Sequence, residues 1–499
     1  MNYITETQYD QLCDACDALL QKDTLSTERK AITWLHIIRE HPIFLQSYTA
    51  IFAKGTPSFL LFLFLKLLKY SLIGGLKIFH CLYRNIIKRE KLSKLISSYD
   101  YIFISHLLNK DFQEREFDFY FHALPQKLQH QEGKALMVYI NYIGEVNHRL
   151  AKKWKNHEVD QIVLPRYLSV RQELKIRVLL FKDAFRLLFE KSNTKISRRV
   201  KLQAAVEAFS PASHFNLRMG FQIEQIVQEV QAKQLYTTFE GHPWERLVFA
   251  FGRKVNPRII CIGYQHALVF RKQHAIRRKL NKNFEPDYIL CSGEHGLQQF
   301  HAIDYLPSNK LICFGSNRTS TIKREKLAVS SKKLTTYLML SEGDLIECLP
   351  LVEFVLKLAK KHLEKHFIIR FHPITRVDKV LKVFPELKQS IPNIELSTLS
   401  FEKDLERAHY AIYRGSTTII KAVEYGLIPL YLSKANEITI DPLYEMQKEK
   451  FNLTSPDDLV AIDKYSKEEL LERQYKLIDY VQQFFSPIDY NEALKVKNN

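Results

Sequence analysis

A chain of 499 residues is longer than a single hydrophobic core usually supports, so two or three domains are expected. Hydrophobic residues make up 46% and aromatic residues 12%, which excludes a largely disordered chain. The 73 Lys+Arg against 55 Asp+Glu leave a net charge of +18, a balance that favours a membrane surface, nucleic acid or an anionic substrate as partner.

Residues 1–97 read as helical. The first segment, MNYITETQYD, is polar and acidic and unlike a signal peptide, so a cytoplasmic location is expected. The seven cysteines are odd in number and scattered, as in reduced core positions. Cys13 and Cys16 form a lone CxxC inside QYDQLCDACDALL, an amphipathic helical pattern with no second pair or His at ligand spacing.

From Phe59 the chain runs FLLFLFLKLLKYSLIGGLKIFHCLYRNIIKREKLSK, apolar enough to raise the question of a membrane span. Lys66, Lys69 and Lys77 argue against one, each costing about 2.5–3.5 kcal/mol at mid-bilayer depth. On a helical wheel, Lys66, Lys69, Lys77, Arg84, Lys88 and Lys91 fall within about 100° of one another. That pattern predicts a helix lying in the membrane interface with its cations toward anionic headgroups; the competing reading is a core helix with one solvated edge, interrupted at Gly74-Gly75.

From about Tyr99 short apolar runs alternate with helical stretches: YIFIS (101–105), ALMVYIN (135–141), QIVLP (161–165), LYTTF (235–239), RIICIGY (258–264), DYILCS (287–292) and LICFGS (311–316). They predict parallel strands with crossover helices. After a basic, Ser/Thr-rich linker the pattern restarts with TYLMLS (336–341), FIIRF (367–371), IELS (394–397), YAIYR (410–414) and IPLYL (428–432). The predicted organisation is a helical region with a membrane-surface segment (1–97), a Rossmann-like acceptor domain (98–316) with a helical insert (171–230), a hinge (317–333), a Rossmann-like nucleotide-sugar domain (334–450) and a C-terminal helix packing back (451–499). The fold class is thus α/β, two Rossmann-like domains facing a cleft with an N-terminal helical, membrane-interfacial region.

No GxGxxG follows a strand and no GxxxxGK[ST] occurs, which argues against a dinucleotide oxidoreductase and a P-loop NTPase. The segment 411–432, AIYRGSTTIIKAVEYGLIPLYL, reads as strand, turn, helix start, helix and strand. Ser416, Thr417 and Thr418 would present hydroxyls and amides to a phosphate, and Glu424 could accept ribose hydroxyls. Glu342 follows TYLML; His372, Pro373 and Arg376 follow FIIRF. Together these predict a nucleotide site. In the first domain FEGHPWER (239–246) follows LYTTF, and GYQHA (263–267) follows RIICI. Glu240 is the first choice of general base, with His242 and Glu245 beside it. Trp244, Gln265 and His266 are candidates for holding an acceptor sugar. Asp111, Glu114 and Glu116 are second choices for the base, and Glu294 and His295 in SGEHG a weaker pair.

This combination resembles bacterial GT-B glycosyltransferases of surface polysaccharide assembly, particularly the sialyl-, polysialyl- and Kdo transferases that use CMP-activated acidic sugars. The resemblance implies CMP binding at His372, Pro373, Ser416, Thr417 and Thr418. The carboxylate-carboxylate-Gly motif that carries the base in sialyltransferases has partial counterparts in Phe239-Glu240-Gly241 and Ser341-Glu342-Gly343. The expected partners are a nucleotide-sugar donor, a glycan or glycolipid acceptor and an anionic membrane surface. No cofactor and no metal are expected, since no DxD-type pair lies near a strand end. The same half-sites would serve a CDP-glycerol-type glycerophosphotransferase. A membrane-attached scaffold or nucleic-acid binder is disfavoured, because the basic segments are amphipathic or lie in a linker rather than interleaving with aromatics.

Overall fold

Strands as continuously apolar as YIFIS and ALMVYIN require burial on both faces, which a parallel sheet between helices provides. The computed structural model describes residues 4–22, 25–92, 95, 98–131, 133–154, 158–303, 310–319 and 335–496; the expected hinge from residue 320 onward lies outside them. The first sheet contains β1 (Tyr101–Leu107), β2 (Ala135–Asn141), β3 (Asp160–Val163), β4 (Gln234–Thr238), β5 (Ile260–Gln265), β6 (Tyr288–Cys291) and β7 (Lys310–Cys313). Every pairing is parallel, in the order β3-β2-β1-β4-β5-β6-β7. The second contains β8 (Thr336–Leu340), β9 (His366–Arg370), β10 (Ile394–Leu396), β11 (Tyr410–Tyr413), β12 (Ile428–Leu432) and β13 (Phe451–Leu453), again all parallel, in the order β10-β9-β8-β11-β12-β13.

Both orders are the doubly wound Rossmann order, so the fold is α/β with two Rossmann-like domains and an apolar N-terminal helix. In each sheet the winding reverses once, between β1 and β4 and between β8 and β11. Carboxyl ends of strands at such a reversal open a crevice, because the flanking connections diverge to opposite faces. The strand β13, in FNL, is too short and too polar to have been picked out by pattern.

The N-terminal helices and the helices of 170–230 share one core, in which Leu12, Cys16, Leu20, Ile32 and Leu35 pack with Ile176, Leu187, Val200 and Leu217. The helix Glu6–Lys22 buries both cysteines of the CxxC, and burial raises both thiol pKa values, consistent with inert packing groups. A buried ion pair crosses this core: Arg29 Nε reaches Asp183 Oδ2 at 2.8 Å, each side chain about 1% exposed, and Arg29 also donates to the Leu19 carbonyl.

The apolar helix Thr56–Leu82 runs unbroken through Gly74-Gly75. A Cβ on Gly74 would lie 2.5 Å from Arg177 Nη2, so the missing side chain admits that guanidinium, which donates to the Gly74 carbonyl. With the stretch that follows it, to Ile87, the helix is long and apolar enough to cross a membrane. One side is nevertheless held to the protein: Lys66 pairs with Glu207, Tyr70 Oη donates to Glu207 at 3.0 Å, and His80 meets Tyr167 at 3.0 Å. The expectation that the cationic stripe faces headgroups is therefore corrected at Lys66, which pairs inward, and at Arg84, which is buried against Glu90 at 2.5 Å. Lys66 and Arg84 found acceptors on the protein, and Leu72, Leu76 and Phe79, at 70–72% exposure, remain outward.

The helix Lys467–Val481 packs Leu477, Ile478 and Val481 on the second domain. The chain then crosses to the first, where Ser316 N donates to the Ser486 carbonyl at 2.9 Å and Asp489 N to the Phe314 carbonyl at 2.8 Å.

Breaking a buried pair by removing one partner leaves an uncompensated charge. Arg29→Met should lower stability by about 3–5 kcal/mol, seen as a drop in thermal midpoint, whereas Arg29→Met with Asp183→Leu should recover most of it.

Candidate functional site

The crevice between β1 and β4 is lined from four strand ends. His106 lies on β1 and Tyr142 follows β2, while the 239–246 loop follows β4 and His266 follows β5. Gly241 turns that loop at φ +84, and a Cβ there would stand 2.4 Å from the Ala275 carbonyl carbon, so only glycine fits without strain. Pro243 then opens the helix Pro243–Val255, and Glu245 reaches back to accept the amides of Glu240 at 3.0 Å and His242 at 2.8 Å. Only 1% exposed, Glu245 holds the loop in shape. Burial, reinforced by Glu240, pushes its pKa up to about 7, against the pull of His242 and the two amides.

Glu240 stands otherwise. Its Oε2 meets His242 Nε2 at 3.3 Å, with both side chains about one-third exposed. Burial would raise the Glu240 pKa, but the His242 hydrogen bond and the charges of His266, His242 and Arg39 hold it at about 2. His242 is raised above its ordinary value: burial opposes this, and the Glu240 hydrogen bond with the charges of Glu245 and Glu240 overcomes it. A carboxylate that acidic is a weak proton acceptor by itself; the Glu240–His242 pair can carry the proton on its imidazole.

His106 and His266 are neutral near pH 7, each lowered to about 4, chiefly by burial. His106 Nε2 lies 3.2 Å from Thr238 Oγ1, and the His266 ring packs 4.7 Å from that of Tyr120. The buried His266 Nδ1 has no hydrogen-bond partner among the described residues. Trp244 is 6% exposed, edge-on to His106 at 5.3 Å, so its ring belongs to the core and offers little face to a sugar. Gln265 is likewise internal and bonds the Ala267 carbonyl. Asp111, Glu114 and Glu116 are exposed after β1; the carboxylate there that turns inward is Asp118, which accepts the Tyr120 and Phe121 amides at 2.9 and 2.8 Å. Glu294 is exposed, and His295 packs on Tyr480 and Phe484 of the C-terminal segment instead of facing the crevice.

The crevice between β8 and β11 is closed by one carboxylate. Glu342 Oε1 accepts the Gly415 amide at 2.8 Å and Oε2 meets His41 Nε2 at 2.7 Å. Burial would raise Glu342, and the hydrogen bond and charge of His41, the Gly415 amide and Arg39 lower it, so it is anionic. His372 stands beside it after β9, its amide donating to Ser341 Oγ at 2.9 Å and its Nδ1 accepting from the Ile374 amide at 3.3 Å. Burial lowers the His372 pKa, with Glu342 opposing. A Cβ on Gly343 would lie 3.1 Å from His372 Nδ1, so its absence lets the imidazole close on the turn.

Ser416 and Thr418 share a hydrogen bond at 2.7 Å, and Thr417 is exposed. The helix that follows, Ile419–Glu424, has six residues and no side-chain cap from Thr418, so the expected strong helix start is a turn of hydroxyls and amides. Glu424 is buried at its last residue. Pro373 is exposed, and Arg376 is exposed and paired with Asp378 at 3.0 Å, which satisfies its charge at the surface. Beneath the turn, buried Arg414 pairs with Glu347 and with Glu437 at 2.6 Å, anchoring the end of β11.

Sequence reasoning missed Arg39 and His41. The Arg39 guanidinium stacks 4.3 Å over Phe270, and its field acts on Glu240, Glu40 and Glu342. It therefore links the two crevices electrostatically. A signal existed: His41-Pro42 repeats the dipeptide of His242-Pro243 and His372-Pro373, and all three histidines contact or face one of the two crevice carboxylates. Among the described residues no group of three or more His, Cys, Asp or Glu is placed to hold a metal ion.

No protein-family model matches the chain, and no curated protein matches it. Among solved structures it overlaps the UDP-GlcNAc 2-epimerase of Methanocaldococcus jannaschii at 11% identity and TM-score 0.41, covering 79% of this chain and 98% of that one. It overlaps the glycotransferase of kitacinnamycin at 12% and 0.43, covering 78% and 96%, and Acinetobacter baumannii MurG at 11% and 0.41, covering 77% and 96%. Scores of this size describe a similar outline and carry no argument about the reaction.

By proton NMR the His242 ring should titrate above pH 6.5. Glu240→Gln removes the hydrogen-bonded carboxylate and one of the two charges that raise it, so the midpoint should fall; an unchanged midpoint would contradict the pairing.

Proposed function

We propose that the protein is a glycosyltransferase that moves a sugar from a nucleotide-linked donor on the second domain to a glycan hydroxyl on the first. The observation that carries this reading is the pair of crevice centres, Glu240–His242 and Glu342–His372, linked by the field of Arg39. In the proposed step the acceptor hydroxyl loses its proton to the Glu240–His242 pair as its oxygen bonds to the sugar's anomeric carbon. The bond from that carbon to the donor phosphate breaks, and the leaving phosphate is met by Arg39, His372 and the amides and hydroxyls of 415–418. Neutral His106 and His266 would offer hydrogen bonds to the acceptor without adding charge.

The finer reading is an acidic sugar carried on CMP, transferred without a metal to a growing bacterial surface glycan such as lipopolysaccharide or capsule. It includes work at the cytoplasmic face of a membrane, supported by the outward apolar face of the helix Thr56–Leu82. A cationic centre at Arg39 suits a negatively charged donor on either side of the scissile bond.

Thermal-shift titration with CMP, CDP, UDP and GDP tests it. CMP should stabilise the wild type selectively, and His372→Ala or Arg39→Ala should abolish the shift; no response to any nucleotide would reject the enzyme reading. In a transfer assay with the donor so identified, His242→Ala should lower kcat about 10²–10⁴-fold.

A further inference from the structure

Two cavities share a wall, and the second reaches Tyr142 at the edge of the first crevice. The first, of ≈ 350 Å³, opens between the helices Thr56–Leu82 and Val170–Phe189 and is walled by apolar groups including Ile73, Ile78, Val178 and Phe181. The second, of ≈ 280 Å³, is more polar and extends past Arg166 to Tyr142. Lys77 and Arg218 line both.

The charge at this junction is unbalanced. Arg218 is neutralised by Glu173 through contacts of 2.6 and 2.8 Å, and His214 beside them is lowered to about 4 and carries no charge. Lys77, Arg166 and Arg177 then remain as three cations, with Glu173 already engaged. Burial, with Arg218, Arg166 and Arg177 nearby, lowers the Lys77 pKa against Glu173. Arg177 gives one donor to the Gly74 carbonyl, while its buried Nε has no acceptor among the described residues. Cations gathered where an apolar groove ends match an amphiphile with an anionic head.

We propose that this groove binds a phosphate-bearing lipid that carries the acceptor, its hydrocarbon chain between the two helices and its phosphate at Lys77, Arg166 and Arg177. The Tyr142 ring at the far end of the second cavity lies 5.6 Å from that of His106, in the first crevice. A sugar attached to a phosphate held at Lys77 and Arg166 would extend past Tyr142 toward His106 and the Glu240–His242 pair. The helices that wall the groove also carry exposed Leu72, Leu76, Phe79, Phe181 and Phe185, as suits insertion among lipid chains. The acceptor role rests on the glycosyl-transfer reading; the lipid site itself does not.

Calorimetry without nucleotide tests the site, using dodecyl phosphate, inorganic phosphate and the uncharged dodecyl maltoside. Dodecyl phosphate should bind at least tenfold more tightly than either of the others. Lys77→Glu with Arg166→Glu should weaken it more than tenfold, as should Val178→Asp; Arg166→Gln, at an exposed position, provides a variant that folds. Equal affinity in variants that keep the wild-type melting temperature would overturn the proposal. So would inorganic phosphate binding as tightly, which marks a plain anion site, or dodecyl maltoside doing so, which marks a plain apolar face. Because these arms contain no nucleotide, failure of the donor titration leaves them readable, and the reverse holds.

Discussion

The carboxylate of Glu342 is the contact on which the arrangement of the cleft depends. A buried charge is tolerated only when its oxygens are satisfied, and here one oxygen takes the Gly415 amide and the other His41. The first bond spans the place where the second sheet reverses its winding. The second draws in a segment from the N-terminal helices, so three parts of the chain meet at one anion. Arg39 stands two residues from His41, and its guanidinium is thereby carried to where it feels Glu240 as well as Glu342.

Environment separates carboxylates that composition cannot. Glu240 and Glu245 lie five positions apart in one loop, yet one is held near 2 and the other near 7. The difference is solvation and partners: Glu240 stands half open among positive groups, and Glu245 is enclosed and bonded to neutral amides. The same division makes His242 the basic imidazole while His106 and His266 stay neutral. One acidic-looking stretch, FEGHPWER, therefore contains a charged pair, a structural brace and a core indole.

Much of the fold was legible because a buried parallel strand leaves a local trace. ALMVYIN and IPLYL match β2 and β12 at both ends, and the other apolar runs fall within one to three residues of strands. The turn after β11 and the loop after β4 were legible for the same reason, since a strand end followed by Gly, Pro and hydroxyls is a local pattern. The cationic stripe was legible as an angle, and its direction was misread at Lys66 and Arg84. A helical wheel states which residues share a side, but not whether a partner such as Glu207 waits on it.

The sequence by itself determined the class of the fold, the approximate places of its strands and the loops that could hold chemistry, because periodicity and turn composition are properties of neighbouring residues. Only the tertiary structure decided that both sheets wind in the same order, that Arg39 and His41 complete a site built hundreds of residues later, and which imidazoles and carboxylates carry charge. Those facts depend on distances between segments remote in the chain, and on the burial they create together; no local pattern encodes either.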